Sequence, residues 1–167
     1  MARLRTLLAL SLWLGCFPLH AAPLAKPEGN VLLTVSGLIS ELNTEGMAQF
    51  DRGMLDQLPQ HAMTTATPWT EGIQRFEGPL LSDLLAAVGS SGNELVLRAL
   101  NDYFAIVNLD EIANYPVMLA MRVNGAILSV RNKGPIWLVY PMSEYPELDT
   151  PYHRPDMVWQ LIKIEVR

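Results

Sequence analysis

The order of apolar and polar residues predicts a chain of short strands with few helices. Strands are predicted at residues 31–37, 61–67, 74–77, 94–100, 103–108, 117–123, 126–130, 136–140 and 158–166. Helices are predicted at residues 52–58 and 80–88. Strands and helices do not alternate regularly, so we expect an α+β fold with a β-rich, barrel-like core.

Turn and cap residues set the predicted boundaries of these elements. Asp51 is placed to cap the first helix, and Pro79 is predicted at the first position of the second. Asp110 is predicted to cap a brief helical turn. The pairs at 101–102 (Asn-Asp) and 124–125 (Asn-Gly) suit tight turns and predict two hairpins.

The N-terminus has the pattern of a secretory signal peptide. Arg3 and Arg5 precede the apolar run LLALSLWLG, and the small residues Ala21 and Ala22 follow a helix-breaking proline. We expect cleavage near this small pair and export to the periplasm. The alternative is a lipoprotein anchored through Cys16, because Leu-Gly-Cys at this point resembles the end of a lipobox.

The predicted organisation is a signal peptide at 1–22, a tether at 23–30 and a single domain at 31–167. The apolar run at the N-terminus is too short to span a bilayer, and no later run approaches the roughly 18 apolar residues that a spanning helix needs. No transmembrane segment is therefore expected. About 145 residues are enough for one domain that buries most of its apolar surface.

Composition excludes several classes of site and partner. Removing the two arginines of the leader leaves ten basic against 17 acidic side chains, a net charge of about −7. Nucleic acid and anionic membrane surfaces need clustered cations and are excluded as partners. Cys16 is the only cysteine, so the predicted domain has no thiol and no disulfide. His61 and His153 lack a ligand-like companion, so no metal site is predicted.

Three stretches carry a resemblance to a known family. The stretch MLAMRVNGAILSVRNKGPIWLVYP and the closing DMVWQLIKIEV resemble the C-terminal half of the molybdopterin-binding domain of sulfite-oxidase-type enzymes. The stretch RFEGPLLSDLLAAVG resembles the strand-to-helix unit of the same family. The resemblance covers residues 30–166 and implies a sulfite-oxidase-like molybdopterin-domain fold.

The chain departs from this family at one chemical position. The resemblance implies a cysteine thiolate as a molybdenum ligand on the segment that here reads TTATPWTEGIQRFEG, which offers Thr65 and Thr67 instead. A threonine hydroxyl is a hard, neutral donor, whereas the thiolate is soft and anionic. We therefore predict that the pocket is kept and the metal lost, with no metallic or covalent cofactor and a pterin, such as a reduced tetrahydropterin, as ligand.

A pterin is a flat heterocycle that needs acceptors at its amino edge, donors at its oxo edge and an aromatic face for stacking. An indole, a turn carboxylate beside a tyrosine, and cations around a close-approaching Gly-Pro loop supply these groups. The predicted ligand-binding residues are Trp69, Arg75, Asp102, Tyr103, Arg131, Lys133, Gly134 and Tyr140. Alternatives stay open: Trp69 as a core aromatic, Asp102 as a turn former, and Arg131 and Lys133 as a solvated face.

The preferred functional hypothesis is an exported, metal-free pterin-binding module. It resembles the cysteine-less periplasmic relatives of this fold, and that resemblance implies a role in reporting pterins to the sensor domain of an inner-membrane receptor that controls cyclic-di-GMP. The acidic, proline-rich segment 142–156 is the predicted partner-facing or lid surface. The alternatives are a molybdopterin-dependent oxidoreductase with an atypical ligand set and a ligandless interaction domain.

Overall fold

The computed structural model describes residues 24–167, and the predicted signal peptide, with Cys16, lies outside the described residues. The strands are β1 Leu33–Gly37, β2 Met47–Phe50, β3 His61–Ala66, β4 Ile73–Gly78, β5 Glu94–Ala99, β6 Phe104–Asn108, β7 Met118–Ala120, β8 Arg122–Val123, β9 Ala126–Ile127, β10 Trp137–Val139 and β11 Leu161–Val166. The helices are α1 Arg52–Gln57, α2 Leu81–Ala87 and α3 Leu109–Ile112. No helix among residues 24–167 is long and apolar enough to cross a membrane.

The largest sheet has five strands in the order β2-β1-β11-β5-β6. The neighbours β1 and β11 are parallel, and every other pair in this sheet is antiparallel. Alternate residues of the edge strand β6 are buried, as Ala105 and Val107 show, because one face of the sheet covers the core. The hairpin predicted at residues 101–102 is confirmed as the β5–β6 turn.

Two smaller sheets complete the core. One has four strands in the order β3-β4-β8-β9, and the other pairs β10 with β7. The rings of Phe76 on β4 and Trp137 on β10 meet edge to face at 5.4 Å, which joins the two small sheets inside one hydrophobic core. The α+β class is confirmed, but the described strands form three sheets and no closed barrel, which corrects the barrel-like expectation.

The predicted strands around the Asn-Gly turn are shorter than expected. The predicted strand 117–123 divides at Met121, because β7 pairs with β10 whereas β8 pairs with β4 and β9. The predicted strand 126–130 ends at Ile127 and is followed by a 3₁₀ turn at Val130–Asn132. The two halves of residues 117–123 therefore belong to different sheets, and the local sequence pattern does not reveal this division.

The helix caps confirm one prediction and correct two. Asp51 caps α1, since its carboxylate accepts a hydrogen bond from the amide of Met54 at 2.9 Å. Pro79 is not the first residue of α2: the helix begins after Leu80, whose amide donates to the Asp83 side chain. The cap of α3 is Asn108, which accepts from the amide of Asp110, so Asp110 is the capped residue and not the cap.

Residues 24–29 lie against the edge of the five-stranded sheet at β2. The Asp51 carboxylate accepts from the amides of Glu28 and Gly29 at 2.8 and 2.7 Å. The Asn43 side chain donates to the carbonyl of Ala25 at 2.7 Å. The described part of the predicted tether is therefore held in place by hydrogen bonds to the domain.

Candidate functional site

Two adjoining cavities open where the β3–β4 loop meets the segment before β11. The first, here called the indole cavity, has a volume of about 180 Å³, and its walls include Trp69, Asn101, Tyr103, Arg154 and Trp159. The second, the polar cavity, has a volume of about 340 Å³, and its walls include Thr67, Met142, Ser143, Asp149 and Arg154. Because Arg154 lines both cavities, they meet at its side chain.

The two indoles come from distant parts of the chain and touch in the wall of the indole cavity. Trp69 lies in the loop between β3 and β4, where its amide donates to the Thr67 hydroxyl at 3.2 Å. That hydroxyl also pairs with the Thr70 hydroxyl at 3.0 Å, which fixes the loop. Trp159 comes just before β11, and the two rings meet edge to face at 5.4 Å. An aromatic wall of this kind suits a flat ligand.

Arg154 supplies a cation at the junction of the cavities. It lies in the 3₁₀ turn Arg154–Asp156, and its Nε donates to the Asp149 carboxylate at 2.8 Å. Among residues 24–167, neither terminal nitrogen of this guanidinium donates a hydrogen bond. Those nitrogens are therefore available to donate to an oxo or anionic group of a ligand.

Tyr103 forms the opposite wall of the indole cavity and remains a neutral hydrogen-bonding group. Its hydroxyl donates to the carbonyl of Pro155 at 3.0 Å, which joins β6 to the 3₁₀ turn. Burial raises the pKa of the Tyr103 phenol above its usual value, and the negative charge of Asp156 raises it further. The phenol is therefore protonated throughout the physiological range.

Hydroxyl groups occupy the segment where the resemblance implies a metal-binding thiolate. The buried Thr65 hydroxyl accepts from the amide of Ser143 at 3.0 Å, and the Ser143 hydroxyl accepts from the amide of Ala66 at 2.9 Å. The Thr65 and Ser143 hydroxyls also bond each other at 3.3 Å. These oxygens are committed to the protein, and residues 24–167 contain no cluster of three or more metal-ligating side chains. The donor set does not fit a thiolate-bound metal.

A buried acid lies beneath the two cavities. Burial raises the pKa of the Asp156 carboxyl to about 6, although the nearby His153 opposes this shift; the His153 Nδ1 lies 3.6 Å from the carboxylate. Tyr140 is fully buried, and its hydroxyl makes no hydrogen bond within residues 24–167. Burial, followed by the charge of Asp156, raises the pKa of the Tyr140 phenol. Tyr140 therefore packs behind the cavities and does not line them.

Four predicted residues lie at or near the indole cavity. Trp69 and Tyr103 line it. Asp102 is exposed in the turn between two lining residues, with a left-handed φ of 65°, and its own side chain is not in the wall. The Lys133 ammonium lies 6.0 Å from the Trp159 ring centroid and 5.4 Å from that of Trp137, so it contacts the indole wall from behind.

Three predicted residues lie elsewhere. Arg75 pairs with Glu77 and lines a separate pocket, and Arg131 is exposed in the 3₁₀ turn Val130–Asn132. Gly134 is required by packing, because a Cβ there would lie 2.3 Å from the carbonyl oxygen of Leu128. The cavities thus bring together Trp69 and Tyr103 but not Arg75, Arg131 or Gly134.

The sequence does not point to Arg154, Asn101, Ser143 or Trp159 as site residues. The sequence signal nearest to them is the proline-rich segment 142–156, which was expected to form a lid or partner surface. In the structure this segment contributes Ser143, Asp149 and Arg154 to the cavity walls.

The sequence of residues 33–144 matches the model of the family described as the oxidoreductase molybdopterin binding domain. The chain belongs to this family. No curated protein matches the sequence. The fold is similar to that of the sulfane dehydrogenase SoxCD from Paracoccus pantotrophus, with a TM-score of 0.60 and 20% sequence identity over 80% of this chain. The match spans 37% of the SoxCD chain, so this family member corresponds to about a third of that protein's length.

The family assignment gives the cavities their chemical context. The matched residues include Thr65, Thr67, Trp69 and Ser143, whereas Arg154 and Trp159 lie beyond the match. The family match therefore covers the hydroxyl-bearing segment and Trp69 but not the cation or the second indole.

Proposed function

We propose that the protein binds a pterin across the indole and polar cavities without supplying a metal ligand. The observation that carries this proposal is the junction of an indole wall with a partly free guanidinium, beside hydroxyls that are bonded to the protein. The indole cavity alone is smaller than the roughly 300 Å³ typical of ligand sites, so the ligand extends into the polar cavity.

The contacts available are strong enough for binding without a metal. One aromatic stack contributes about 1–3 kcal/mol by analogy with base stacking, and a hydrogen bond from a charged donor contributes about 1.5–3 kcal/mol. Two or three such contacts in a preformed site reach roughly micromolar affinity after the costs of association. The preformed wall of Trp69 and Trp159 lowers those costs because both rings are already packed.

The role that we propose for this binding is signalling. Segment 142–156 lines both cavities, so a bound ligand would favour one conformation of the segment, and a partner that binds this conformation better would report the ligand. The proposed partner is the periplasmic sensor domain of an inner-membrane receptor that controls cyclic-di-GMP. This part of the proposal rests on the leader-like N-terminus and on the family resemblance.

Isothermal titration with a tetrahydropterin and with its oxidised form tests the binding step. We expect saturable heat with a Kd near or below about 10 µM for at least one redox form. The variant Ile127→Ala is a control, because Ile127 is exposed on β9 and lies outside both cavities. The absence of heat, together with no protection against thermal unfolding, would overturn pterin binding and favour the ligandless interaction domain.

A molybdopterin-dependent oxidoreductase is the second candidate, and the family match favours it. Inductively coupled plasma analysis of protein purified from its native compartment distinguishes the two candidates. One equivalent of molybdenum per chain would support the enzyme, with a ligand set that does not involve a protein thiolate. Protein that is metal-free and still binds a pterin would support the metal-free module.

A further inference from the structure

The outer edge of the five-stranded sheet is open at β6. The β5–β6 register and the hydrogen bond from the Ala99 amide to the Tyr103 carbonyl make residues 99 and 103 a bonded pair. Bonded and non-bonded pairs alternate in an antiparallel ladder, so the backbone groups of Phe104 and Ile106 point away from β5. Among residues 24–167, none of these outward groups has a hydrogen-bond partner.

The opposite edge of the same sheet is closed by a side chain. Asn43 accepts from the amide of Gln49 at 2.8 Å and donates to the Gln49 carbonyl at 2.8 Å, which satisfies the outer groups of β2. No comparable side chain satisfies β6 within the described residues. Within residues 24–167, the outward backbone groups are therefore hydrogen-bonded at the β2 edge but not at the β6 edge.

The side chains of β6 do not protect its open edge. Edge strands are usually guarded by charged residues, proline or a bulge, whereas β6 reads FAIVN. Phe104 and Ile106 are 55% and 49% exposed on the outer face of the sheet. The 3₁₀ turn Arg154–Asp156 packs against the other face, where Tyr103 donates to Pro155. On the outer face the Arg98 guanidinium of β5 lies 6.0 Å from the Phe104 ring centroid, and the backbone edge of β6 is free to receive another strand.

We infer that β6 pairs in antiparallel fashion with β6 of a second copy of this chain, extending the five-stranded sheet across a twofold axis. The apolar side chains of the strand favour one register. Pairing of Phe104 with Ile106 of the second copy aligns outward backbone groups and places apolar side chains opposite each other on both sides of the axis. A shift that pairs Ile106 with itself instead sets each Phe104 opposite the polar Asn108.

The expected dimer is weak and reversible. One five-residue edge contributes far less than the roughly 800 Å² per partner of a stable interface, so we expect a dissociation constant of roughly 10–500 µM. Sedimentation equilibrium of the purified protein between about 5 µM and 1 mM measures it. A parent protein that stays monomeric throughout this range overturns the inference and leaves the β6 edge to other partners.

Three variants test the edge and the register. Ile106→Glu places a carboxylate against Phe104 of the second copy and should weaken dimerisation at least tenfold. Ile127→Glu is the matched control, because Ile127 is 57% exposed at the edge of another sheet, and it should dimerise like the parent. The double variant Phe104→Lys with Ile106→Glu creates opposite charges across the inferred register and should dimerise at least threefold more tightly than Ile106→Glu.

If Ile106→Glu and Ile127→Glu weaken dimerisation equally, the interface is not at β6. If the double variant dimerises no more tightly than Ile106→Glu, the inferred register is wrong. Circular dichroism and the thermal midpoint establish that each variant is folded. If Ile106→Glu unfolds, Phe104→Lys alone tests the same interface, since Phe104 is exposed and faces Ile106 of the second copy in the inferred register.

Discussion

The residues that make the proposed site are few and come from two connections, the β3–β4 loop and the segment between β10 and β11. Trp69 and Trp159 form the aromatic wall, and Arg154 forms the cationic junction. Each is held by a contact from within the domain: a loop hydroxyl for Trp69, the Lys133 ammonium for Trp159 and a carboxylate for Arg154. The site is therefore largely preformed, which is the condition for useful affinity without a metal.

The first prediction concerns the aromatic wall. Trp69→Ala should weaken pterin binding at least tenfold, because it removes one stacking face and opens the cavity to water. Trp69→Phe is the matched control and should keep most of the affinity. Titration calorimetry measures both, and an isotherm for Trp69→Ala that matches the parent would remove Trp69 from the site.

The second prediction concerns the cation. Arg154→Gln should weaken binding of an oxo-bearing pterin by about tenfold, because one hydrogen bond from a charged donor is lost. Lys163→Gln, a charge-matched change on β11 away from both cavities, should have no effect. If the two variants lose affinity equally, the effect comes from net charge and the Arg154 contact is wrong.

The third prediction concerns the buried acid. Because the pKa of Asp156 is raised to about 6 by burial, the native state holds its proton more tightly than the unfolded chain does. This contribution to stability is present near pH 4 and is lost as pH rises through 6. Asp156→Asn should therefore be more stable than the parent at pH 7, by about 1 kcal/mol after solvent screening, with the difference vanishing near pH 4. Urea unfolding at both pH values measures it.

At the scale of elements, local patterns predicted most strands and all the helices, but not how the strands are shared among sheets. The cap at Asp51 and the β5–β6 turn depend on neighbouring residues, so the sequence shows them directly. The division of residues 117–123 between two sheets depends on the distant strands β10 and β4. The short strand β2 was not predicted, since its pairing with β1 and its Asn43 contacts are not visible locally.

The site was predicted only in part for the same reason. Trp69 and Tyr103 stand in loops whose composition is unusual for a core, and that signal is local. Arg154 becomes a site residue only because a long segment folds back over β6, which no spacing in the sequence indicates. Gly134 was read as a ligand contact, but its close neighbour is the backbone of Leu128.

The fourth prediction belongs to the first helix. Asp51 accepts hydrogen bonds from the amide of Met54 at the start of α1 and from the amides of Glu28 and Gly29 in the described part of the predicted tether. These bonds lower the pKa of Asp51, so the stability that they give is present above its ordinary range and is lost on acidification. Asp51→Ala should lower Tm by roughly 4 °C at pH 7, with little difference near pH 2. Gln57→Ala, at an exposed position in the same helix but not at its cap, is the control.

At the scale of the whole molecule, the domain has a single core, and the two cavities lie at one end of the large sheet. They lie by the β5–β6 turn and the start of β11. A ligand bound as proposed would contact the segment 142–156 and two of the three sheets through their loops. Binding should therefore stabilise the entire fold.

The fifth prediction follows from this coupling. A pterin at one hundred times its Kd should add about 2.7 kcal/mol to the free energy of unfolding, which raises Tm by roughly 5–11 °C. Differential scanning calorimetry measures the shift, and Trp69→Ala at the same ligand concentration should show a smaller one. A rise in Tm of equal size in both proteins would place the ligand outside the indole cavity.

The hydrogen bonds that fix residues 24–29 beside β2 also determine where the described chain begins relative to the cavities. Residues 24–29 lie at the β2 edge of the five-stranded sheet, while β6 and the mouth of the indole cavity lie at the opposite edge. Residue 24, the first described residue, therefore lies near the β2 edge, away from β6 and the cavity mouth. A surface or carrier joined at residue 24 would leave the cavity mouth and the open β6 edge unobstructed.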